Sequence, residues 1–228
     1  MFWNQEVDNE TLAVPDDVAD VVFALECRQL PVDHAHALSE ALTRVLPWMA
    51  DEPLLAVHSI HVAGSQNGWE RPAHGTENRL LLSRRTRLVI RAPQPRIEDL
   101  LTRLPGARIE VDGCPMAIRE GKVKPLSRET TLFARYVVSL PGQDEESFLA
   151  NAAHALGEMG LRVRKAVCGK STLLNTPRGT VHTRSILLAD LSLKESFLLQ
   201  RLGLGPSRLM GCGVFIPHKG VDAVAKVR

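Results

Sequence analysis

The order in which apolar periods follow one another along this 228-residue chain limits its fold more than any single motif does. "DVVFALECRQL" (20–30) reads as a strand, apolar at its start and alternating later. "PVDHAHALSEALTRVLPWM" (31–49) reads as a helix, with Asp33 as N-cap and Leu38, Leu42, Val45 and Met49 along one stripe. "LLAVHSIHVAG" (54–64) is a strand, and residues 65–78 hold the turn formers of a long loop. "LLLSRRTRLVIRA" (80–92) supplies one or two strand segments, "PRIEDLLTRLPG" (95–106) a helix closed by Pro-Gly, and "ARIEVDGCPMAIREGKVKPL" (107–126) further strand.

That order is β-α-β-β-α-β, and it occurs twice. "TLFARYVVSL" (131–140) is a strand, and "DEESFLANAAHALGEMG" (144–160) is a helix with Phe148, Ala152, Ala155 and Met159 on one side. Strands at 162–175 and 180–192, a helix at 193–203 and a last strand at 211–219 complete the second set. The expected fold class is α+β: two tandem ferredoxin-like (RRM-like) domains, each an antiparallel sheet with helices on one face. Residues 1–15 form an acidic leader, 16–125 the N-terminal domain and 126–228 the C-terminal domain, with the linker near 121–130.

Charge is distributed unevenly over that frame. Residues 1–78 hold 3 Lys/Arg against 13 Asp/Glu, whereas 79–228 hold 25 against 13. "RLLLSRRTRLVIR" (79–91) carries five arginines and no acid. Guanidinium suits bidentate phosphate contact, so an anionic partner is a candidate beside the plainer reading of a solvated face. No apolar run reaches membrane-spanning length, and the acidic first residues do not form a secretory leader. Four cysteines (Cys27, Cys114, Cys168, Cys212) lie far apart with no C-x-x-C. They read as isolated thiols of a cytoplasmic protein.

Several chemistries are excluded by spacing. "CGKSTLL" (168–174) resembles the end of a P-loop, but Arg164 stands where the first glycine is required. "GLGPSR" (203–208) places Arg208 at the third glycine of G-x-G-x-x-G. The eight histidines form no H-E-x-x-H and join no zinc-spaced cluster. No metal site and no organic cofactor is expected.

What remains is "GLGPSRLMGCGVFIPHKG" (203–220), with five glycines in eighteen residues. A glycine-rich loop with Gly203, Gly205, Gly211 and Gly213 before the last strand resembles that of the repeat-cleaving endoribonucleases of CRISPR systems, in the RAMP superfamily. With "LPVDHAHAL" (30–38) and "LLLSRRTRLVIR" (80–91) it is similar to the subtype first described in myxobacteria. The resemblance spans about residues 20–220.

It implies an endoribonuclease that binds CRISPR repeat RNA, as precursor and as mature crRNA, and contacts no membrane and no DNA directly. It also implies a place beside other CRISPR effector subunits. Glycine N–H groups at φ > 0 would turn toward phosphates, the rival reading being a tight helix-to-strand connection. Arg208, His218 and Lys219 would add charge there, Arg84, Arg85 and Arg87 further phosphate contacts, and Lys165 and Lys170 would line the same groove.

In this family the RNA 2′-hydroxyl attacks its own 3′ phosphate and leaves a 2′,3′-cyclic phosphate, without a metal. The family's histidine near the first helix falls here on His34 or His36. His34 shares the inward stripe and sits at the helix's first turn, whereas His36 shares its side with Glu40 and Thr43. His58 is the second candidate for proton transfer. Tyr136 reads as core. The alternatives are a non-catalytic RAMP-type RNA-binding subunit and, last, an RRM-like protein, for which only ten aromatics and no R-G-F-type segment are present.

Overall fold

A computed structural model describes residues 12–61 and 79–218. It is a mixed α/β chain of antiparallel sheets. In chain order come β1 (Val18–Glu26), β2 (Gln29–Pro31), α1 (Ala35–Val45), β3 (Ala56–Val57), β4 (Arg79–Leu81), β5 (Arg87–Pro93), α2 (Gln94–Arg103), β6 (Arg108–Val111) and β7 (Cys114–Lys124). Then follow β8 (Leu132–Val138), α3 (Glu145–Glu158), β9 (Lys165–Thr176), β10 (Gly179–Ala189), α4 (Leu193–Leu202) and β11 (Phe215–Pro217).

Five strands form one sheet in the order β3-β5-β1-β7-β6, and four form another in the order β11-β8-β10-β9. In each, the first strand lies between the third and the last of its set, and every ladder is antiparallel. β2 and β4 form a separate two-stranded ribbon.

Local chemistry explains most boundaries. Pro47 forces Leu46 out of the helical region (φ −130°, ψ 82°), so α1 ends there and Met49 is buried from a short 3-10 turn instead. Asp144 caps α3 by accepting from Ser147 N–H, and Ser192 with Glu195 forms a capping box on α4. Asp33, expected as the cap of α1, does not cap it. The cap position is His34, without a side-chain bond, and Asp33 Oδ2 accepts from both Asn175 N and Asn175 Nδ2 at 2.9 Å. The strand expected over 54–64 narrows to Ala56–Val57, and its far end, with the 65–78 loop, lies outside the described residues.

Alternation on β1 divides labour between its faces. Ala19, Val21, Phe23 and Leu25 join α1 and α2 in one apolar core. Gly121 lies under Phe23, where a Cβ would come within 2.5 Å of the ring. A second core gathers β8, β10, α3 and α4 around Leu132, Phe148, Leu188 and Leu199. Two smaller clusters join the halves: Val18 and Leu126 with Leu193 and Phe197, and Ala35 with Tyr136, Leu174 and Cys212.

On the helix-free side of the first sheet, this seam holds a charge. Arg91, 1% exposed, donates from Nε and Nη2 to Asp20 at 2.8 and 3.1 Å. Its Nη1 donates to the carbonyls of Gln200 (2.8 Å) and Phe215 (2.9 Å) in the other half. Burial opposes ionisation of Asp20, but Arg91 and His58 outweigh it and hold the carboxyl far below the usual carboxylate range. Because the folded state keeps Asp20 ionised more readily than the unfolded chain does, this stabilisation is complete above the ordinary value of 3.8 and is lost as pH falls below it. Asp20→Asn would leave the Arg91 cation buried without its counter-charge. Urea denaturation at neutral pH is expected to show a loss of about 3–5 kcal/mol, and the wild type should lose part of the same stability below about pH 4.

Candidate functional site

The sequence-selected residues converge on the seam, but not in the roles expected of all of them. His34 stands at the start of α1 and is 1% exposed. Its Nδ1 lies 2.9 Å from Pro31 O, and its Nε2 lies 3.2 Å from Ile60 N. A backbone amide can only donate, so Nε2 accepts, Nδ1 carries the proton, and the ring is held neutral. Taking up a second proton would break the Ile60 bond inside an apolar site. His34 therefore ties α1 to the segment after β3, with both ring nitrogens engaged by backbone.

His58 lies on the helix-free face with Asp20, its Nε2 3.4 Å from Asp20 Oδ1 and its side chain 14% exposed. Burial pushes its titration down, and the nearby Arg91 and Arg208 guanidiniums add to that, against the pull of Asp20. His34 and His58 are thus held by different partners on different faces. His36, like His58, is half-buried. It follows Ala35, which packs on Tyr136 and Cys212, so it sits in the first turn of α1 where the two halves meet. Tyr136 is core, as its position suggested, at 2% exposure.

Arg208 was expected to meet an anion and meets carbonyls instead. It donates to Leu54 and Leu55 of the first half (both 3.3 Å) and to Arg201 O (2.9 Å). Burial lowers its pKa to about 10. It latches the loop across the seam.

The glycines serve the same close packing. All four have φ between 65° and 80°. A Cβ on Gly203 would reach 2.5 Å from Gly213 O, one on Gly213 2.1 Å from Leu204 O, and one on Gly211 3.1 Å from Ser59 N. The amides of Gly203, Gly211 and Gly213 bond to Leu199 O, Arg208 O and Tyr136 O. These three glycines are buried, so the expectation that their N–H groups cradle phosphate is corrected: the close approach is to the protein's own backbone. Gly205 is exposed, and a Cβ there would meet nothing within 4 Å.

The basic candidates are on the surface. Arg84, Arg85 and Arg87 are exposed in and after the β4–β5 turn, with Arg87 also bonded to Arg84 O and Thr86 O. Lys170 is exposed, whereas Lys165 is paired with Asp190 at 2.8 Å. His218 is exposed with its ring centroid 5.9 Å from that of Phe133, and Lys219 lies outside the described residues.

Sequence reading missed two lysines. Lys122 and Lys124 are exposed on β7, opposite Val22 and Asp20 in the ladder, and so share the helix-free face with Arg87, which stands opposite Ala24. The alternation of "REGKVK" was the available signal. Among the described residues no group of three or more His, Cys, Asp or Glu is placed to hold a metal ion, and no helix is long and apolar enough to cross a membrane.

Three comparisons bear on this arrangement. The family model described as Cas6 Crispr matches residues 19–220. The CRISPR-associated endonuclease Cas6 of Myxococcus xanthus (strain DK1622) is 30% identical over 200 residues, covering 87% of this chain and 80% of that protein. Among solved structures, a CRISPR associated protein Cas6 superposes with a TM-score of 0.59 at 11% identity, covering 89% of this chain and 100% of the other. A structure titled an RAMP protein binding different RNA substrates superposes at 0.58 and 12% identity, covering 88% and 100%.

The glycine geometry separates packing from ligand contact. Gly211→Val adds a β-branched side chain at φ 80° within 3.1 Å of backbone, whereas Gly205→Ala has φ 78° but open space. Both carry backbone strain of roughly 1–3 kcal/mol, and only the first adds a collision. Chemical denaturation is expected to show Gly211→Val losing clearly more stability than Gly205→Ala.

Proposed function

Because the chain belongs to the Cas6 family, we propose that it is an endoribonuclease that binds CRISPR repeat RNA and cuts precursor transcripts into crRNAs. The family match over residues 19–220 carries this reading. The strand orders β3-β5-β1-β7 and β11-β8-β10-β9 support reading the chain as two ferredoxin-like domains, 16–125 and 126–228, behind an acidic leader. Such a pair offers RNA a seam flanked by exposed cations. Arg84, Arg85, Arg87, Lys122, Lys124 and Lys170 are exposed, and their charge draws a phosphate chain along the helix-free face of the first sheet. His218 extends that attraction from β11, and Lys219 belongs to the same proposal.

The chemistry proposed is metal-independent transesterification. The 2′-hydroxyl loses its proton and attacks the adjacent phosphorus, the P–O5′ bond breaks, the 5′-oxygen takes up a proton, and a 2′,3′-cyclic phosphate remains. His36 is assigned the proton transfer. It is half-buried in the first turn of α1, its ring is not drawn into the Asp20–Arg91 pair as that of His58 is, and the amino end of α1 favours an approaching phosphate. His34 positions that helix end through Ile60, and His58 steadies the seam through Asp20. The enclosure of both rings also favours a second reading, a RAMP-type subunit that binds RNA without cutting it.

Incubation of the pure protein with RNA made from a CRISPR repeat distinguishes the two. Cleavage in excess EDTA, with a 2′,3′-cyclic phosphate on the 5′ product, is the expected result. Intact RNA at saturating protein would establish the binding-subunit reading. His36→Ala is expected to slow single-turnover cleavage by about 10²–10⁴-fold with little change in affinity, and a 2′-deoxy nucleotide 5′ of the cut should block cleavage but not binding. His34→Ala should instead lower thermal stability.

A further inference from the structure

A groove of about 700 Å³ opens at the far end of β1, between the β1–β2 turn, the β4–β5 turn and the β6–β7 hairpin. It is separated from Asp20 by five residues of strand, or about 16 Å along β1, and it belongs neither to the glycine loop nor to the histidines. Leu25, Leu82, Ile109 and Met116 supply apolar lining, continuous with the main core. Three guanidinium side chains, Arg28, Arg84 and Arg108, line it from three different segments, and all three residues are exposed. The single carboxylate in the lining, Glu26, is held in an ion pair by Arg119. Gln29 and Ser83 add exposed polar side chains beside the apolar surface.

Such a site asks for a flat apolar body carrying negative charge at its edges. The volume lies in the range of small-molecule sites, roughly 300–1,000 Å³. A nucleobase can lie against the half-buried Leu82 and Ala117 with its flanking phosphates on the arginines, and Gln29 and Ser83 can bond its edge. The surroundings favour a strand over an isolated anion. Lys124 and Lys122 on β7, opposite Asp20 and Val22, and Arg87 on β5, opposite Ala24, flank β1 on its two sides and keep the helix-free face cationic toward Glu26 and the groove.

We propose that this groove binds a nucleotide of single-stranded RNA, holding the part of the strand that extends away from the seam. The proposal rests on reading the chain as an RNA-binding protein but not on its cutting RNA. It predicts a contact set, Arg28 and Arg108 foremost, that the chemistry at α1 does not use.

Fluorescein-labelled hexauridylate, titrated against the full-length protein, tests the groove without cleavage. The wild type is expected to bind it. Arg28→Ala with Arg108→Ala should weaken binding by about tenfold or more and lower the slope of log K against log salt by about 1.4, two phosphates at about 0.7 each. Ala117→Glu, which sets a carboxylate in the lining, should weaken binding without touching either arginine. Both residues are exposed, so unchanged thermal melting is expected for the double variant.

Three outcomes overturn the proposal: no binding of hexauridylate by the wild type, equal binding by the double variant, or equal binding of an abasic hexamer or of hexaglutamate. The last two would mean charge attraction without a base site. If wild type binds hexauridylate through the groove yet leaves repeat RNA intact, the groove stands and the nuclease reading falls. If the double variant cuts repeat RNA normally with hexauridylate affinity unchanged, the groove falls and the nuclease stands.

Discussion

The buried Arg91 guanidinium fixes how the two halves of the molecule meet. A cation that is 1% exposed must have every donor matched, because isolated charge in an apolar site is expensive by many kcal/mol. Asp20 supplies the counter-charge from the neighbouring strand, and two carbonyls, of Gln200 and Phe215, come from the other half. Neither half satisfies Arg91 alone. Gln200 is itself anchored, its side chain bonding to both N–H and C=O of Ser127 in the connection between the halves. The linker, α4 and β11 are thereby referenced to one strand of the first sheet, and the apolar clusters on either side can pack in only one register.

Arg208 repeats the device with the direction reversed. Here the second half supplies the cation and the first supplies the carbonyls, Leu54 and Leu55, just before β3. The short β3 has only Ala56 and Val57 in the ladder, yet it is held from both sides: by Arg208 and Gly211 on one, and through Ile60 by His34 on the other. A two-residue strand that would be marginal as a free edge becomes a fixed support for the start of α1. The place where chemistry is proposed is thus built on backbone contacts, and the side chains with the most distinctive chemistry serve it as structure.

Helices were the most legible part of the sequence, because their stripes report directly on burial. Phe148 and Ala152 of α3 and Leu38 and Leu42 of α1 are buried as the period requires. Long strands were legible as well, but β3 was not, since the apolar run "LLAVHSI" continues past the two residues that pair, its remainder serving as core in loop conformation. What local pattern could not show was the partner. Arg91 and Arg84 belong to one basic run, yet Arg91 falls on the seam and Arg84 on the surface. Glycine at positive φ was correctly legible as unusual backbone, but whether it approaches a ligand or its own chain depends on what lies 3 Å away, as Ser59 does from Gly211. Likewise, a first-turn histidine reads as catalytic until Ile60, twenty-six residues on, is placed against it.

Asp33 adds a mechanical consequence. β9 spans 12 residues and turns into β10 just beyond Asn175, so this hairpin is an arm of about 40 Å. Its outer end is pinned by the two bonds from Asn175 to Asp33, one residue before the cap of α1. An arm held at root and tip is a bridge, not a flap: whatever bears on its middle pulls on both abutments. Beside those two exposed bonds Leu174 is buried against Ala35, so the tip is also packed onto α1, and load on the hairpin is passed to the amino end of α1.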